Sequence, residues 1–206
     1  MVNKLRCVVL LLALLVGCTK ESGEDVKVEL DALCRGIFDA EVVEYVNGRR
    51  TFNPEYLEEV TSESLRLPGE FCSVRRIDDD TLRFDISYDW AAAGDEYDPP
   101  GQRRSDANGY VYGAGDDLLI ISGGLPDPSA SKIRFLCQTE KSSRLRTVEG
   151  RLVEHLFALN QEATFAVLLA SAEKAAEGFG CRNALDFPDA ADVKGPAPTA
   201  SATPEG

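Results

Sequence analysis

The feature that most constrains the fold of this 206-residue chain is a set of four cysteines spread over its central part, at Cys34, Cys72, Cys137 and Cys181. In an oxidising compartment an even number of cysteines forms disulfides, and four cysteines allow three connectivities. Two long cross-links would hold one domain together. Whether these disulfides form depends on export from the cytoplasm, and the N-terminal sequence indicates whether the chain is exported.

The N-terminus has the pattern of a secretory signal. Lys4 and Arg6 precede an apolar run over residues 7–16 that carries no charge. As a helix this run would span about 15 Å, roughly half of a ~30 Å hydrocarbon core. It is therefore too short for a transmembrane helix, and we expect it to be removed.

The end of that run, Leu15-Val16-Gly17-Cys18, resembles the lipobox of bacterial lipoproteins. The resemblance implies cleavage between Gly17 and Cys18 and attachment of acyl chains such as palmitate to Cys18. It predicts a signal peptide over residues 1–17 and a lipidated tether over 18–25, with the protein on the extracytoplasmic face of a cell membrane. Two acyl chains suffice for stable anchoring. The alternative is a secreted protein cut by the general signal peptidase.

The net charge of the chain limits the kinds of molecule that it can bind. The chain has a formal net charge of -13, and loss of residues 1–17 would remove two further positive charges, Lys4 and Arg6. An acidic protein repels nucleic acid and anionic membrane surfaces. We therefore predict no nucleic-acid partner and contact with the membrane through the lipid alone.

Residues 26–187 predict a single α+β domain, an antiparallel sheet covered by N- and C-terminal helices and stapled by disulfides. Helical spacing of apolar residues predicts helices over 26–46, 54–63, 145–159 and 160–177, and period-two alternation predicts strands over 71–77, 81–88, 110–112, 118–122 and 133–139. The proline-rich residues 188–206 predict a disordered tail.

The predicted elements suggest how the cysteines pair. Cys34 lies on the apolar stripe of the first helix, Cys72 and Cys137 lie on strands, and Cys181 follows the last helix. Pairing Cys34 with Cys72 and Cys137 with Cys181 would tie each terminal helix to the sheet. The alternative joins Cys34 to Cys181 and Cys72 to Cys137.

This order of cysteines, ending in Gly180-Cys181 after an alanine-rich helix, also resembles small, uncharacterised four-cysteine lipoproteins of high-GC Gram-positive bacteria. The resemblance spans most of the domain. It supplies no catalytic residues.

The sequence predicts no catalytic residue, metal site or cofactor. His155 is the one histidine, no serine has a nucleophile-elbow motif, and no Cys-x-x-Cys pair occurs. No glycine cluster matches a phosphate-binding loop. Carboxylates cluster at residues 78–80, 95–98 and 116–117, and we interpret them as solvated turns.

Aromatic residues flank a long connection over residues 91–108. Trp90, Tyr97, Tyr110 and Tyr112 are the candidate binding residues, because aromatic rings can stack on sugars or grip a peptide. The sequence thus predicts a non-catalytic envelope protein that binds another protein or a polymer. The alternative is an envelope hydrolase that uses Asp95, Glu96, Asp98, Asp116 and Asp117.

Overall fold

Strands dominate the part of the chain that the computed structural model describes, which comprises residues 29–49, 56–61, 64–92, 110–114, 117–122, 130–140, 142 and 144–195. The elements in these ranges are a 3₁₀ helix at Leu30–Arg35, α1 at Ala40–Asn47, β1 at Leu57–Thr61, β2 at Gly69–Arg76, β3 at Arg83–Trp90, β4 at Tyr110–Gly113, β5 at Leu118–Ser122, β6 at Ala130–Cys137, β7 at Arg146–Glu154, α2 at Gln161–Phe179 and a 3₁₀ turn at Ala190–Asp192.

The strands form a seven-stranded sheet in the order β1-β2-β3-β7-β6-β5-β4, and all of its pairings within the described ranges are antiparallel. Helices flank this sheet, so the predicted α+β class is confirmed. The hairpin of β2 and β3 aligns Cys72 with Ile86 and Val74 with Phe84. Cys72 and Val74 therefore share the buried face, as their alternation predicts.

Two predicted helices are wrong, because the chain forms strands there. β7 occupies most of residues 145–159, and its buried face alternates through Val148, Gly150 and Leu152. The glycine in this series conceals the period of two, whereas the leucines around it happen to recur at helical spacing. Within 54–63 the chain forms β1, because pairing with β2 overrides the local helix-start signal.

The predicted helix over 26–46 is interrupted. Cys34, Arg35 and Gly36 have φ values of 51°, 64° and 70°, so the chain turns in the left-handed region before α1 begins. Asp39 starts α1 by accepting a 2.8 Å hydrogen bond from the Val42 N–H at its Oδ1. Residues 26–28 lie outside the described ranges.

The long C-terminal helix is confirmed within two residues at each end. Asn160 precedes α2 and its Oδ1 accepts a 2.8 Å hydrogen bond from the Ala163 N–H. Gly180 ends α2 with φ 69°, a conformation that costs glycine little. This end places Cys181 beside the sheet.

Both disulfides follow the predicted pairing. Cys34–Cys72 and Cys137–Cys181 have Cα–Cα distances of 5.3 and 5.1 Å. Next to the second bond, Asn183 accepts from the Gln138 N–H at 2.8 Å and donates to the Leu136 carbonyl at 2.9 Å. The chain after α2 is thus attached to the end of β6 by covalent and hydrogen bonds.

The core lies between the sheet and the helices. Tyr88 is 2 % exposed, and its ring packs edge-on against Phe71, Phe135 and Phe179. The Ser171 hydroxyl donates to the Leu168 carbonyl at 2.9 Å, so the Tyr88 hydroxyl, 2.8 Å away, donates to Ser171. Burial raises the pKa of Tyr88, so this hydroxyl keeps its proton.

An ion-pair group lies on strands β6 and β7. Glu149 is 2.7 Å from the Lys132 Nζ and 2.6 Å from an Arg134 guanidinium nitrogen. Burial opposes ionisation of Glu149, but the two cations outweigh it and lower the pKa of this carboxyl. The acid is therefore charged and neutralised locally.

The first residues of the predicted tail pair with the sheet. The Gly113 N–H donates to the Lys194 carbonyl at 3.1 Å, and the Lys194 N–H donates back at 3.0 Å. Residues 188–195 therefore extend the domain beyond β4. Residues 196–206 lie outside the described ranges, as do residues 1–28 with the lipobox.

Candidate functional site

The candidate aromatic residues do not converge in the described part of the chain. Trp90 ends β3, where the Arg146 guanidinium lies 3.8 Å from its ring centroid. Tyr110 and Tyr112 belong to β4, four strand spacings away, or about 19 Å. Tyr112 packs edge-on against Phe165 at 4.9 Å. Tyr97 lies outside the described ranges.

Two carboxylates of the predicted clusters, Asp78 and Asp79, have structural partners in the β2–β3 turn. Asp78 pairs with Arg76 at 2.5 Å, and this hydrogen bond lowers the pKa of Asp78. Asp79 accepts from the Thr81 N–H at 3.1 Å and from its hydroxyl at 2.6 Å. These contacts shape the turn. Asp95, Glu96, Asp98 and Asp116 lie outside the described ranges.

One group among the described residues has donor atoms close enough for a metal ion. Cys34, Cys72 and Glu59 place their sulfur and carboxylate atoms within 4.8 Å of one another. The two sulfurs are joined in a disulfide, and Glu59 accepts a 2.7 Å hydrogen bond from the Cys34 N–H. This carboxylate therefore supports the left-handed turn.

A groove of about 740 Å³ lies between α1, α2 and residues 187–191. Its lining residues are Asp39, Ala40, Glu41, Val42, Tyr45, Asn160, Glu162, Ala163, Ala166, Leu169, Ala170, Glu173, Phe187, Pro188, Asp189, Ala190 and Ala191. This volume is in the range of small-ligand sites. We call this feature the acidic groove.

The floor of the acidic groove is apolar and made of small side chains. Ala166 and Ala170 are half-buried and lie one turn apart on α2. Leu169, Tyr45 and Phe187 add larger apolar groups around them. Because alanines project little from a helix, a bound chain could approach α2 closely.

The charge of the acidic groove is all negative. Five of its lining residues are acids, Asp39, Glu41, Glu162, Glu173 and Asp189, and no lining residue is lysine, arginine or histidine. Among the residues that the structure describes, none forms an ion pair with these five. Arg49 lies 4.8 Å from the Tyr45 ring centroid but does not line the groove.

Several acids on the sheet and its connections are paired with cations. Glu58 pairs with Arg75 at 2.6 Å, Glu149 with two cations on the sheet, and Glu140 with Arg182. The groove thus concentrates unneutralised carboxylates in one concave surface. Such a surface attracts cationic groups.

The loop that leads into α2 is fixed by hydrogen bonds. The Glu154 carboxylate accepts from the N–H groups of Phe157 at 2.5 Å and Leu159 at 2.9 Å. The Tyr45 hydroxyl donates to the Ala158 carbonyl at 3.2 Å, which links α1 to the same loop. The relative position of α1 and α2, and hence the groove, is therefore held before any ligand binds.

Sequence reasoning missed the acidic groove, since it arises where three separate segments meet. One feature of the sequence could have indicated the groove. Within an otherwise amphipathic α2, alanines occupy outward positions 166 and 170, where charged residues are usual on a solvated helix face.

Comparisons with protein-family models, curated proteins and solved structures found no match. In the ranges that the structure describes, no helix is long and apolar enough to cross a membrane.

Proposed function

We propose that this chain is a lipid-anchored protein of the extracytoplasmic face of a cell membrane, and that it binds a protein or polymer of the cell envelope. The observation that carries the proposal is the cysteine pattern. Cys34, Cys72, Cys137 and Cys181 are consumed in two disulfides, which are consistent with an extracytoplasmic location. Cys18 is then the cysteine that the lipobox resemblance assigns to the lipid.

The chemistry of the acidic groove is compatible with binding. Its lining offers carboxylates and apolar groups, which suit a ligand with cationic and apolar parts. The Asn160 side chain is occupied in capping α2. The alternative is an envelope hydrolase that uses Asp95, Glu96, Asp98, Asp116 and Asp117, and of these acids Asp117 alone lies in the described ranges.

Lipid attachment is tested by growing expressing cells with an alkyne analogue of palmitate. We expect label on the wild-type chain and none on Cys18→Ala, because the thioether needs the thiol. Cys7→Ala is the matched control, since it removes the other cysteine outside the disulfides, and it should label like the wild type. Equal labelling of Cys18→Ala would refute the anchor.

Binding within the envelope is tested by cross-linking and affinity capture in the same cells. The end of β3 and the start of β4 are four strand spacings, or about 19 Å, apart across the sheet, and Tyr110 is level with Ile86 rather than with Trp90. A simple deletion of residues 91–108 would therefore leave too little chain to join them. Replacement of residues 93–108 by a glycine–serine linker of equal length preserves the connection.

We expect this linker variant to recover less of the captured partner than the wild type if the long connection makes the contact. Equal recovery by both would remove the connection as the binding element. No specific capture by the wild type would contradict the binding function itself.

A further inference from the structure

We propose that the acidic groove binds a basic, amphipathic peptide segment of a partner protein. The segment would place its apolar side on Ala166 and Ala170 and its lysines or arginines at Glu41, Glu162, Glu173 and Asp189. This inference rests on the proposed function, because it names the class of partner that the binding protein takes.

The shape of the groove supports a peptide. Glu162 and Glu173 are eleven residues apart on α2, a distance of about 16 Å along the helix axis. The two alanines of the floor lie between them, so an apolar strip separates the charged ends. A ligand with apolar groups between two cationic ends matches this layout.

The charge of the groove selects the sign of the ligand. Glu41, Glu162, Glu173 and Asp189 form no ion pair with any residue in the described ranges, in contrast to the paired acids of the sheet. A basic segment would pair with these carboxylates, whereas an acidic segment would be repelled by them.

The stacking of Arg49 on Tyr45 provides a local precedent. The guanidinium lies 4.8 Å from the ring centroid, within the range of cation–π attraction. Tyr45 also lines the groove, so an aromatic surface for cations borders the carboxylates.

The test uses the full chain in phosphatidylcholine nanodiscs, which lack anionic lipid that would itself bind a cationic peptide. The probe is a short peptide of leucine and lysine residues at helical spacing. The control peptide has glutamate in place of every lysine. We expect the lysine peptide to bind, the glutamate peptide not to bind, and binding to weaken at high salt. Equal binding of both peptides would overturn the proposal.

Two variants with the same change of charge separate the groove from the overall acidity of the protein. Glu173→Gln with Asp189→Asn removes two lining acids, whereas Glu44→Gln with Glu177→Gln removes two exposed acids of α1 and α2 that do not line the groove. We expect the first variant to bind the lysine peptide roughly three- to tenfold more weakly, as for two lost surface ion pairs. The second should bind like the wild type.

An equal loss in both variants would mean that net charge alone attracts the peptide, and it would overturn the proposal. The outcomes for anchoring are independent. Lipid labelling of Cys18 with no binding of the lysine peptide would leave the anchor intact and reject the groove. Binding of the lysine peptide without lipid labelling of Cys18 would support the groove and reject the anchor.

Discussion

Replacing Cys137 and Cys181 together by alanine is expected to lower the free energy of unfolding by roughly 4 kcal/mol. The bond joins residues 44 apart in sequence, so its loss frees a long loop in the unfolded chain. It also weakens the attachment of the chain after α2 to β6, where Asn183 is bound. Urea unfolding followed by circular dichroism, under oxidising conditions, measures this loss.

A variant that lacks the Cys34–Cys72 bond provides two comparisons for that experiment. Replacing Cys34 and Cys72 removes a bond of sequence separation 38 and should cost a similar amount, because the entropy of loop closure changes slowly with length. The two variants should differ at the acidic groove, since the Cys137–Cys181 bond holds the segment that leads to the wall at residues 187–191. Peptide affinity equal to that of the wild type in the Cys137/Cys181 variant would show that this bond does not position residues 187–191.

Replacing Gly150 by alanine is expected to destabilise the domain by about 1–3 kcal/mol, the usual cost of an overpacked core. A Cβ atom at this position would lie 2.4 Å from the Tyr88 Cε1 and 2.9 Å from the Ile133 Cγ2. Both of these atoms belong to side chains on the buried face of the sheet. Thermal or urea unfolding of the variant measures the effect.

A double-mutant cycle identifies the Tyr88 ring as the cause. Gly150→Ala should cost less in a Tyr88→Leu background, because the ring atoms that it meets are gone. Alanine otherwise suits a strand better than glycine. A Gly150→Ala variant as stable as the wild type would mean that the core yields easily at this point.

The β2–β3 hairpin and the end of α2 could be predicted because local patterns determine them. Cys72 and Val74 show their shared face in the sequence itself, and Gly180 marks the end of α2. Each of these features depends on residues close to one another in the chain. The sequence therefore contains enough information to place them.

The helix predictions that were wrong fall where contacts between distant parts of the chain determine the structure. β7 lies between β3 and β6, and Gly150 fits there because the Tyr88 ring of the neighbouring strand fills the space above it. β1 forms through pairing with β2, and Cys34 turns in the left-handed region where it bonds to Cys72 and to Glu59. Only the assembled sheet specifies these conformations.

The acidic groove could not be predicted for the same reason. Its acids come from α1, α2 and the residues after α2, and in sequence they lie among many other acids of an acidic chain. Some of the other acids, unlike these, are paired with cations. Glu149 is neutralised by two cations on neighbouring strands, whereas Glu173 has no such partner in the described ranges.

The short pairing of Lys194 with Gly113 has a consequence for how molecules of this protein meet one another. An open sheet ends in strands whose free N–H and C=O groups can recruit a strand from another molecule. On the β4 side, the chain's own C-terminal segment takes up hydrogen-bonding groups at Gly113. The β4 border of the sheet is thus partly closed to edge-to-edge association at Gly113.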